Sequence, residues 1–158
     1  MRTAVATALV VSAAALAACG GHGVKIDSKA QPVTDRWNAT LASPSSLAGA
    51  VQLAGTGWMG RREKDPTQTH AHVSISNAAP GGQHPWHVHR GQCGDDLGVF
   101  GPADAYKVLK VGGNGEANSD ADLPVPLPTT GQYFVNVHAS AANMSTIVAC
   151  GNLAPPGR

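Results

Sequence analysis

Residues 69–76 read Thr-His-Ala-His-Val-Ser-Ile-Ser, so polar and apolar side chains alternate along the whole segment. Successive side chains of a β-strand point to opposite faces of a sheet. The alanine, valine and isoleucine of this segment would therefore share one face, and its two histidines the other. Strict alternation of this kind predicts a β-strand with one face in the protein core.

The same alternation recurs along most of the chain, between turns rich in glycine and proline. Nineteen glycines and eleven prolines in 158 residues disfavour long helices, although a helical turn is an alternative for residues 43–50. Seven or eight short strands separated by turns indicate an all-β sandwich or barrel. The predicted strands are Trp37–Ala42, Gly49–Leu53 with a continuation through Trp58, Thr69–Ser76, Trp86–His89, Ala105–Val111, Glu116–Val125, Gln132–His138 and Ser145–Leu153.

The N-terminal residues have the features of an export signal. Arg2 supplies a positive charge, and Ala4–Leu16 is an uncharged apolar stretch too short to span a bilayer. Residues 16–20, Leu-Ala-Ala-Cys-Gly, resemble the bacterial lipobox, in which cleavage precedes a cysteine that is then acylated. We therefore predict a signal peptide over residues 1–18 and a lipid on Cys19. The alternative is a soluble secreted protein with a cysteine near its cleavage site.

The remainder of the chain is long enough for one domain. Residues 19–36 are small, polar and unpatterned, which predicts a flexible tether after the lipidated cysteine. Residues 37–153 hold the predicted strands, and 154–158 would form a C-terminal tail. The formal net charge of +1 favours no nucleic-acid partner. The predicted location is the bacterial cell envelope, with the lipid in a membrane and the domain facing the periplasm or the exterior. The sequence does not identify a protein partner.

The chain has three cysteines, which is an odd number. If Cys19 carries a lipid, Cys93 and Cys150 remain as one pair in an oxidising compartment, where disulfides persist. Two unrelated free thiols are the alternative. Because such a bridge would close a long loop of the unfolded chain, it would stabilise the fold by roughly 4 kcal/mol.

Residues 84–89, His-Pro-Trp-His-Val-His, space histidines as a metal site requires. On a strand, His87 and His89 would share one face, so both imidazoles would reach one ion. Taken alone the motif is weak, because two exposed histidines on a strand are commoner than a metal site. His138 ends a predicted strand whose alternate valines would point inward, leaving its imidazole on the opposite face. Three neutral imidazoles suit copper or zinc and offer little to magnesium or calcium.

The order of these segments resembles the copper/zinc superoxide dismutase family. A His-x-x-His-x-His motif is followed by a cysteine in the next loop, then by a late Val-His pair and a closing Ala-Cys-Gly at 149–151. The resemblance covers roughly residues 37–153 and is strongest over 84–94 and 132–152. Residues 133–138 also look like the closing motif of the CHRD domain, which lacks this cysteine pair and is the poorer match.

The resemblance implies a Greek-key β-sandwich or flattened barrel of seven or eight antiparallel strands. By position it assigns one copper ion to His87, His89 and His138, and it makes His84 a structural histidine beside them. It also assigns Cys93 and Cys150 to the family's disulfide.

Other positions depart from the family's pattern. The histidine that bridges copper and zinc is replaced by alanine in Gly101-Pro102-Ala103, and the other zinc ligands have no counterparts, so no zinc is expected. Ile147 replaces the arginine that steers superoxide, and residues 139–146 form a short loop without charge. Positive charge beside the metal guides a small anion to it. The departures therefore predict weak dismutase activity or none, and no catalytic residue is assigned.

A second pair, His70 and His72, leaves two arrangements open. A hairpin between residues 69–76 and 84–89 would add both imidazoles to the copper site. The resemblance instead implies a connection that crosses between sheets and puts them on the far face as ordinary exposed histidines. We predict the crossing connection, with His70 and His72 outside the copper site.

Taken together, these features predict an envelope lipoprotein that binds copper and stores it, buffers it or passes it on. The alternatives are a copper-only superoxide dismutase and a metal-free structural or interaction module.

Overall fold

An antiparallel β-sheet of eight strands, curled into a half-barrel, forms most of the domain. The computed structural model describes residues 36–48 and 52–157. The curled eight-stranded sheet confirms the predicted all-β sandwich or flattened barrel. The strands are β1 (Trp37–Ala42), β2 (Ala54–Arg62), β3 (Asp65–Ser76), β4 (Gln83–His84), β5 (Trp86–Gln92), β6 (Asp95–Val99), β7 (Leu109–Lys110), β8 (Ala117–Leu123), β9 (Tyr133–Ser140) and β10 (Asn143–Leu153).

Crossing connections set the order of the strands in the large sheet, which is β6-β5-β9-β10-β1-β2-β3-β8. Strands β1 to β3 are sequential neighbours, but the chain then crosses to the far end of the sheet to form β5 and β6. It returns to place β8 beside β3 and crosses again to place β9 beside β5. These crossings bring β5 and β9 side by side, although they are distant in sequence. Strands β4 and β7 pair separately.

Alternate residues of the long strands form one hydrophobic core. In β3, Ala71, Val73 and Ile75 are buried, whereas the two histidines between and before them are partly exposed, as the alternation predicts. Full burial of a large apolar side chain stabilises the fold by roughly 1.5–3 kcal/mol. The largest fully buried side chains include Trp37, Trp86, Phe134, Leu41, Met59 and Ile75.

The strand predicted at Ala105–Val111 is wrong over most of its length. Strand β7 takes up only Leu109–Lys110, and Ala103–Ala105 is a short 3-10 helix. The carbonyl of Lys107 accepts hydrogen bonds from Trp86 Nε1 at 2.8 Å and from Ser119 Oγ at 2.7 Å. Because side chains satisfy this backbone group, the segment needs no strand partner there.

Other strand boundaries also differ from the prediction. Strand β2 begins at Ala54 rather than within Gly49–Leu53, of which residues 49–51 lie outside the described chain. Strand β6 was not predicted, because its Asp-Asp-Leu-Gly-Val sequence lacks alternation and contains a glycine. The helical alternative at 43–50 is confirmed in part, as a 3-10 helix at Ser45–Leu47.

A disulfide joins Cys93, in the turn between β5 and β6, to Cys150 on β10, with a Cα–Cα distance of 6.1 Å. The predicted pairing is thus confirmed. The signal peptide, the lipidated Cys19 and all but the last residue of the tether lie outside the described residues. Among the residues that are described, no helix has the length and apolar character needed to cross a membrane.

Candidate metal centre

Three histidines from two neighbouring strands converge at one point of the domain. His87 and His89 lie on β5 and His138 lies on the adjacent β9. One nitrogen from each imidazole lies within 4.8 Å of the other two, which is close enough to hold a metal ion. No other His, Cys, Asp or Glu group of the described chain meets this criterion. The predicted ligand set is therefore brought together.

The three rings are nearly excluded from solvent. The exposed fractions are 9% for His87 and 5% for both His89 and His138. The Phe134 ring stacks on His89 with ring centroids 5.2 Å apart, and the Tyr106 ring meets His87 edge-on at 5.2 Å. This enclosure holds the rings in place and strengthens electrostatic interactions at the site.

The ring of His89 is oriented by a carboxylate. Asp96 Oδ1 lies 2.9 Å from His89 Nδ1 and also accepts a hydrogen bond from the backbone N–H of Gly98. A register shift in the β5–β6 pair, where Gly91 has φ +103°, brings Asp96 to this position. A side chain at residue 91 would meet the Asp95 carbonyl, so glycine is required there. With Nδ1 bound to the carboxylate, Nε2 is the nitrogen of His89 that remains for a metal ion.

The ring of His138 is oriented by a backbone carbonyl. Its Nδ1 donates to the carbonyl of Met144 at 2.6 Å. Register shifts in the β9–β10 pair around Ile147 release Met144 from regular pairing and make this carbonyl accessible. His84, predicted to be a structural histidine, bonds through Nδ1 to the carbonyl of His138 at 3.0 Å. It therefore supports the backbone of the third histidine rather than its ring.

Burial favours the neutral, metal-binding form of His87 and His138. It lowers the pKa of His87 to about 4, and the neighbouring His138 and His89 contribute to the same shift. Burial also lowers the pKa of His138, although its hydrogen bond to Met144 opposes the shift. Burial alone would raise the pKa of Asp96, but hydrogen bonds from Gly98 and His89 outweigh it and hold that pKa below its usual range.

A buried nitrogen without a partner is the clearest sign that these residues fit a metal. Nε2 of His89 is the one buried side-chain nitrogen or oxygen of the described residues that has no hydrogen-bond partner. An unpaired buried polar atom costs roughly 1–3 kcal/mol, which a metal–nitrogen bond would offset. A donor set of three neutral imidazoles suits copper and zinc. Carboxylate and carbonyl partners on two of the rings match the outer contacts of metal-binding histidines.

The sequence analysis did not identify Asp96, Met144 or Tyr106 as neighbours of the site. A carboxylate seven residues after His89, across a hairpin, was a signal available for Asp96. The Met144 contact is made by the backbone and has no residue-type signature. Tyr106 lies in the segment wrongly predicted as a strand, and its hydroxyl donates to the Phe100 carbonyl at 2.6 Å.

His70 and His72 do not join the three-histidine site. Their strand β3 pairs with β2 and β8, and the predicted alternative of a β3–β5 hairpin is excluded by the strand order. Both imidazoles instead contact carboxylates of β8, so they are not the ordinary exposed histidines that the sequence predicted.

The fold and the site define a disulfide-linked all-β domain with a buried three-histidine cluster able to hold a metal ion. In comparisons with known proteins, no family model and no curated protein matches this chain.

Proposed function

We propose that this protein binds one copper ion through His87, His89 and His138, as an envelope lipoprotein related to the copper/zinc superoxide dismutases. The observation that carries the proposal is the convergence of three largely buried imidazoles, one of which has an unpaired buried nitrogen. In this role the protein stores copper, buffers it or passes it on.

The donor set supports copper as the ion. Affinity for divalent metals rises along the first transition row to copper at sites of this kind, and imidazole also binds reduced copper. Because the pKa of His87 is lowered to about 4, this ligand remains neutral well below neutral pH. Copper therefore meets little competition from protons for this nitrogen at physiological pH.

The surroundings of the site favour weak dismutase activity or none. An open cavity of about 740 Å³ lies beside the site, and its lining includes Asp96, Met144 and Ile147. Among the described residues that line this cavity, Asp96 is the one that carries a charge. A negative charge opposes the approach of superoxide, and Ile147 supplies no positive charge to offset it. Ala103, at the position of the family's bridging histidine, has no group that could transfer a proton.

Two features support the envelope location. Residues 16–20 resemble a lipobox, and a disulfide between Cys93 and Cys150 is typical of exported proteins. Fractionation of cells that express the full chain tests the anchor. We expect the native chain in the membrane fraction and the Cys19→Ser variant in the soluble exported fraction; a native chain found free of membrane would reject the lipid.

Copper stoichiometry tests the metal site. The purified protein is loaded with copper, desalted and measured by elemental analysis beside a His87→Ala/His89→Ala variant. We expect the variant to retain one equivalent less than the native protein, because only one imidazole remains. Equal copper content in the two proteins would reject the site and favour a metal-free structural or interaction module.

Activity measurements separate copper binding from a copper-only dismutase. We expect copper-loaded protein to remove superoxide no faster than the same concentration of free copper. Activity above that of free copper, lost in the His87→Ala/His89→Ala variant, would instead establish a copper-only dismutase.

A further inference from the structure

Basic side chains collect around the ring of Trp58, where the tether joins the domain. A cavity of about 370 Å³ is lined there by Trp58 and by four basic residues, which are Arg36, Arg61, Arg62 and Lys64. The first of them directly precedes β1, and the other three belong to the β2–β3 hairpin. We call these four residues the basic patch.

The basic patch is the positive part of an otherwise acidic domain. The described residues include seven lysines and arginines, of which four form the patch. Of the eight described carboxylates, Glu63 and Asp122 line the same cavity. With neutral histidines, the cavity lining has an excess of two positive charges and the rest of the described domain an excess of three negative charges. This separation of charge turns the patch towards an anionic surface and the rest of the domain away from it.

Two members of the basic patch have charges that no described carboxylate neutralises. Arg61 and Lys64 are exposed, and within the described residues neither forms an ion pair. The carboxylate of Asp65, which follows Lys64, accepts hydrogen bonds from the backbone and hydroxyl of Thr67. The charges of Arg61 and Lys64 are therefore available to an anion outside the protein.

The other two members are held in place by contacts within the domain. The guanidinium of Arg36 lies over the ring of Trp58, 3.9 Å from its centroid. Arg62 pairs with Asp122 at 3.0 Å and donates to Gln68 at 3.3 Å. A guanidinium that stacks on an aromatic face keeps its N–H donors at its edge, where they can bind phosphate oxygens.

We propose that the basic patch binds the headgroups of anionic phospholipids in the membrane that carries the protein's lipid. The inference rests on the lipid anchor proposed above, because the chain from Cys19 reaches the domain at Arg36, within the patch. The seventeen positions between these residues span at most about 60 Å in any conformation. Since the anchor keeps the patch this close to the bilayer, weak ionic contacts are sufficient to dock it.

An apolar groove adjoins the basic patch and fits the same partner. Arg61 also lines a second cavity, of about 710 Å³, whose walls include Leu127, Pro155 and Pro156. Basic and apolar side chains placed side by side match the boundary between lipid headgroups and acyl chains.

Docking through the basic patch determines where the metal centre faces solvent. Strand β1 runs from Trp37, next to the patch, to Ala42, which lines the cavity beside the three histidines. A strand of this length covers about 20 Å. The cavity beside the metal centre therefore lies away from the docked surface, where a soluble copper donor or acceptor can reach it.

Sedimentation with lipid vesicles tests the basic patch in the full-length Cys19→Ser protein, which has no cysteine to acylate. The vesicles contain equal parts of phosphatidylglycerol and phosphatidylcholine, or phosphatidylcholine alone. We expect stronger binding to the anionic vesicles, and we expect added salt to weaken it. Adding Arg61→Gln/Lys64→Gln should lower the partition coefficient roughly 10- to 30-fold, because each basic residue at an anionic surface contributes about fivefold.

Lys107→Gln/Lys110→Gln in the same protein is the matched control. It removes the same charge from two exposed residues that line a different cavity, and it should bind nearly as well as the Cys19→Ser protein. All the substituted side chains are exposed, and thermal unfolding verifies that both variants are folded. Equal binding to the two kinds of vesicle, or equal losses in the two double variants, would overturn the inference.

The vesicle measurement and the anchor can fail separately. Every protein in the measurement lacks Cys19, so an absence of vesicle binding rejects the basic patch and leaves the lipid anchor intact. A native chain found free of membrane in cell fractionation rejects the anchor and does not alter the vesicle result.

Discussion

His87 and His138, which lie on adjacent strands, face each other with Nδ1 of the first 3.2 Å from Nε2 of the second. In the metal-free protein, one of these nitrogens must donate a proton to the other. A metal ion bound between the rings would occupy both nitrogens, and the donor ring would carry its proton on its other nitrogen instead. Because the pKa of His87 is lowered to about 4, this ring is already neutral at physiological pH, and binding a metal requires a change of tautomer rather than the loss of a proton.

The stability of the metal-free protein should fall in mildly acidic solution. The folded-state pKa of His87 is about 4, below the ordinary value of 6.5 that the unfolded chain retains. As pH falls from 6.5 to 4, the unfolded chain takes up a proton that the folded protein excludes. The free energy of unfolding is therefore highest above pH 6.5 and decreases through this window. Urea denaturation at a series of pH values measures this decrease in the free energy of unfolding.

His87→Asn is the matched variant for this prediction, because asparagine is polar but does not titrate. We expect its free energy of unfolding to depend less on pH between 6.5 and 4. An unchanged slope in the variant would show that His87 is not the group responsible.

Replacing Asp96 by asparagine should weaken copper binding about 10- to 100-fold, because its carboxylate orients His89 through Nδ1. A titration against a competing chelator measures the affinity. Asp95→Asn makes the same change of charge on the neighbouring residue and should leave the affinity close to native. Equal effects of the two substitutions would attribute the loss to charge rather than to orientation.

Gly151→Ala should destabilise the fold by about 1–3 kcal/mol. A β-carbon at residue 151 would meet the carbonyl of Thr40, because β10 passes close to β1 at this point. Gly113→Ala is the control, since a β-carbon there has no atom within 4 Å. Chemical denaturation compares the variants, and a Gly151→Ala protein as stable as Gly113→Ala would contradict the close approach of these strands.

Loss of the disulfide should destabilise the domain by roughly 2–5 kcal/mol. The bridge ties the β5–β6 hairpin, which carries Asp96, to β10, which carries Met144. A Cys93→Ser/Cys150→Ser variant should therefore also bind copper more weakly. Thermal unfolding and the chelator titration measure the two effects, and the native protein under reducing conditions should behave like the variant. Unchanged copper affinity would show that the hairpin holds Asp96 without the bridge.

The sequence predicted the strands and two of the ligands well, for reasons that are local. Alternation of side chains determined β1, β3 and β9, and the two-residue spacing put His87 and His89 on one face. The third ligand lies 51 positions from His87, and local patterns carry no information about such a contact. The resemblance to a known family supplied it.

The parts that the sequence did not predict depend on tertiary structure. Strand β6 is polar, and it forms because the β5–β6 hairpin and the disulfide hold it beside β5. The carbonyl of Met144 orients His138 through a backbone atom that any residue could supply. The link between His70, His72 and two aspartates arises from the pairing of β3 with β8, which sequence spacing alone does not determine.

The most direct test of the central claim is a Cu²⁺ titration followed by electron paramagnetic resonance. We predict that the first equivalent added to the native protein gives a single signal with hyperfine structure from three nitrogen ligands, and that the His138→Ala variant reduces that number to two. A spectrum of unbound copper, or one that His138→Ala leaves unchanged, would contradict a copper site at His87, His89 and His138.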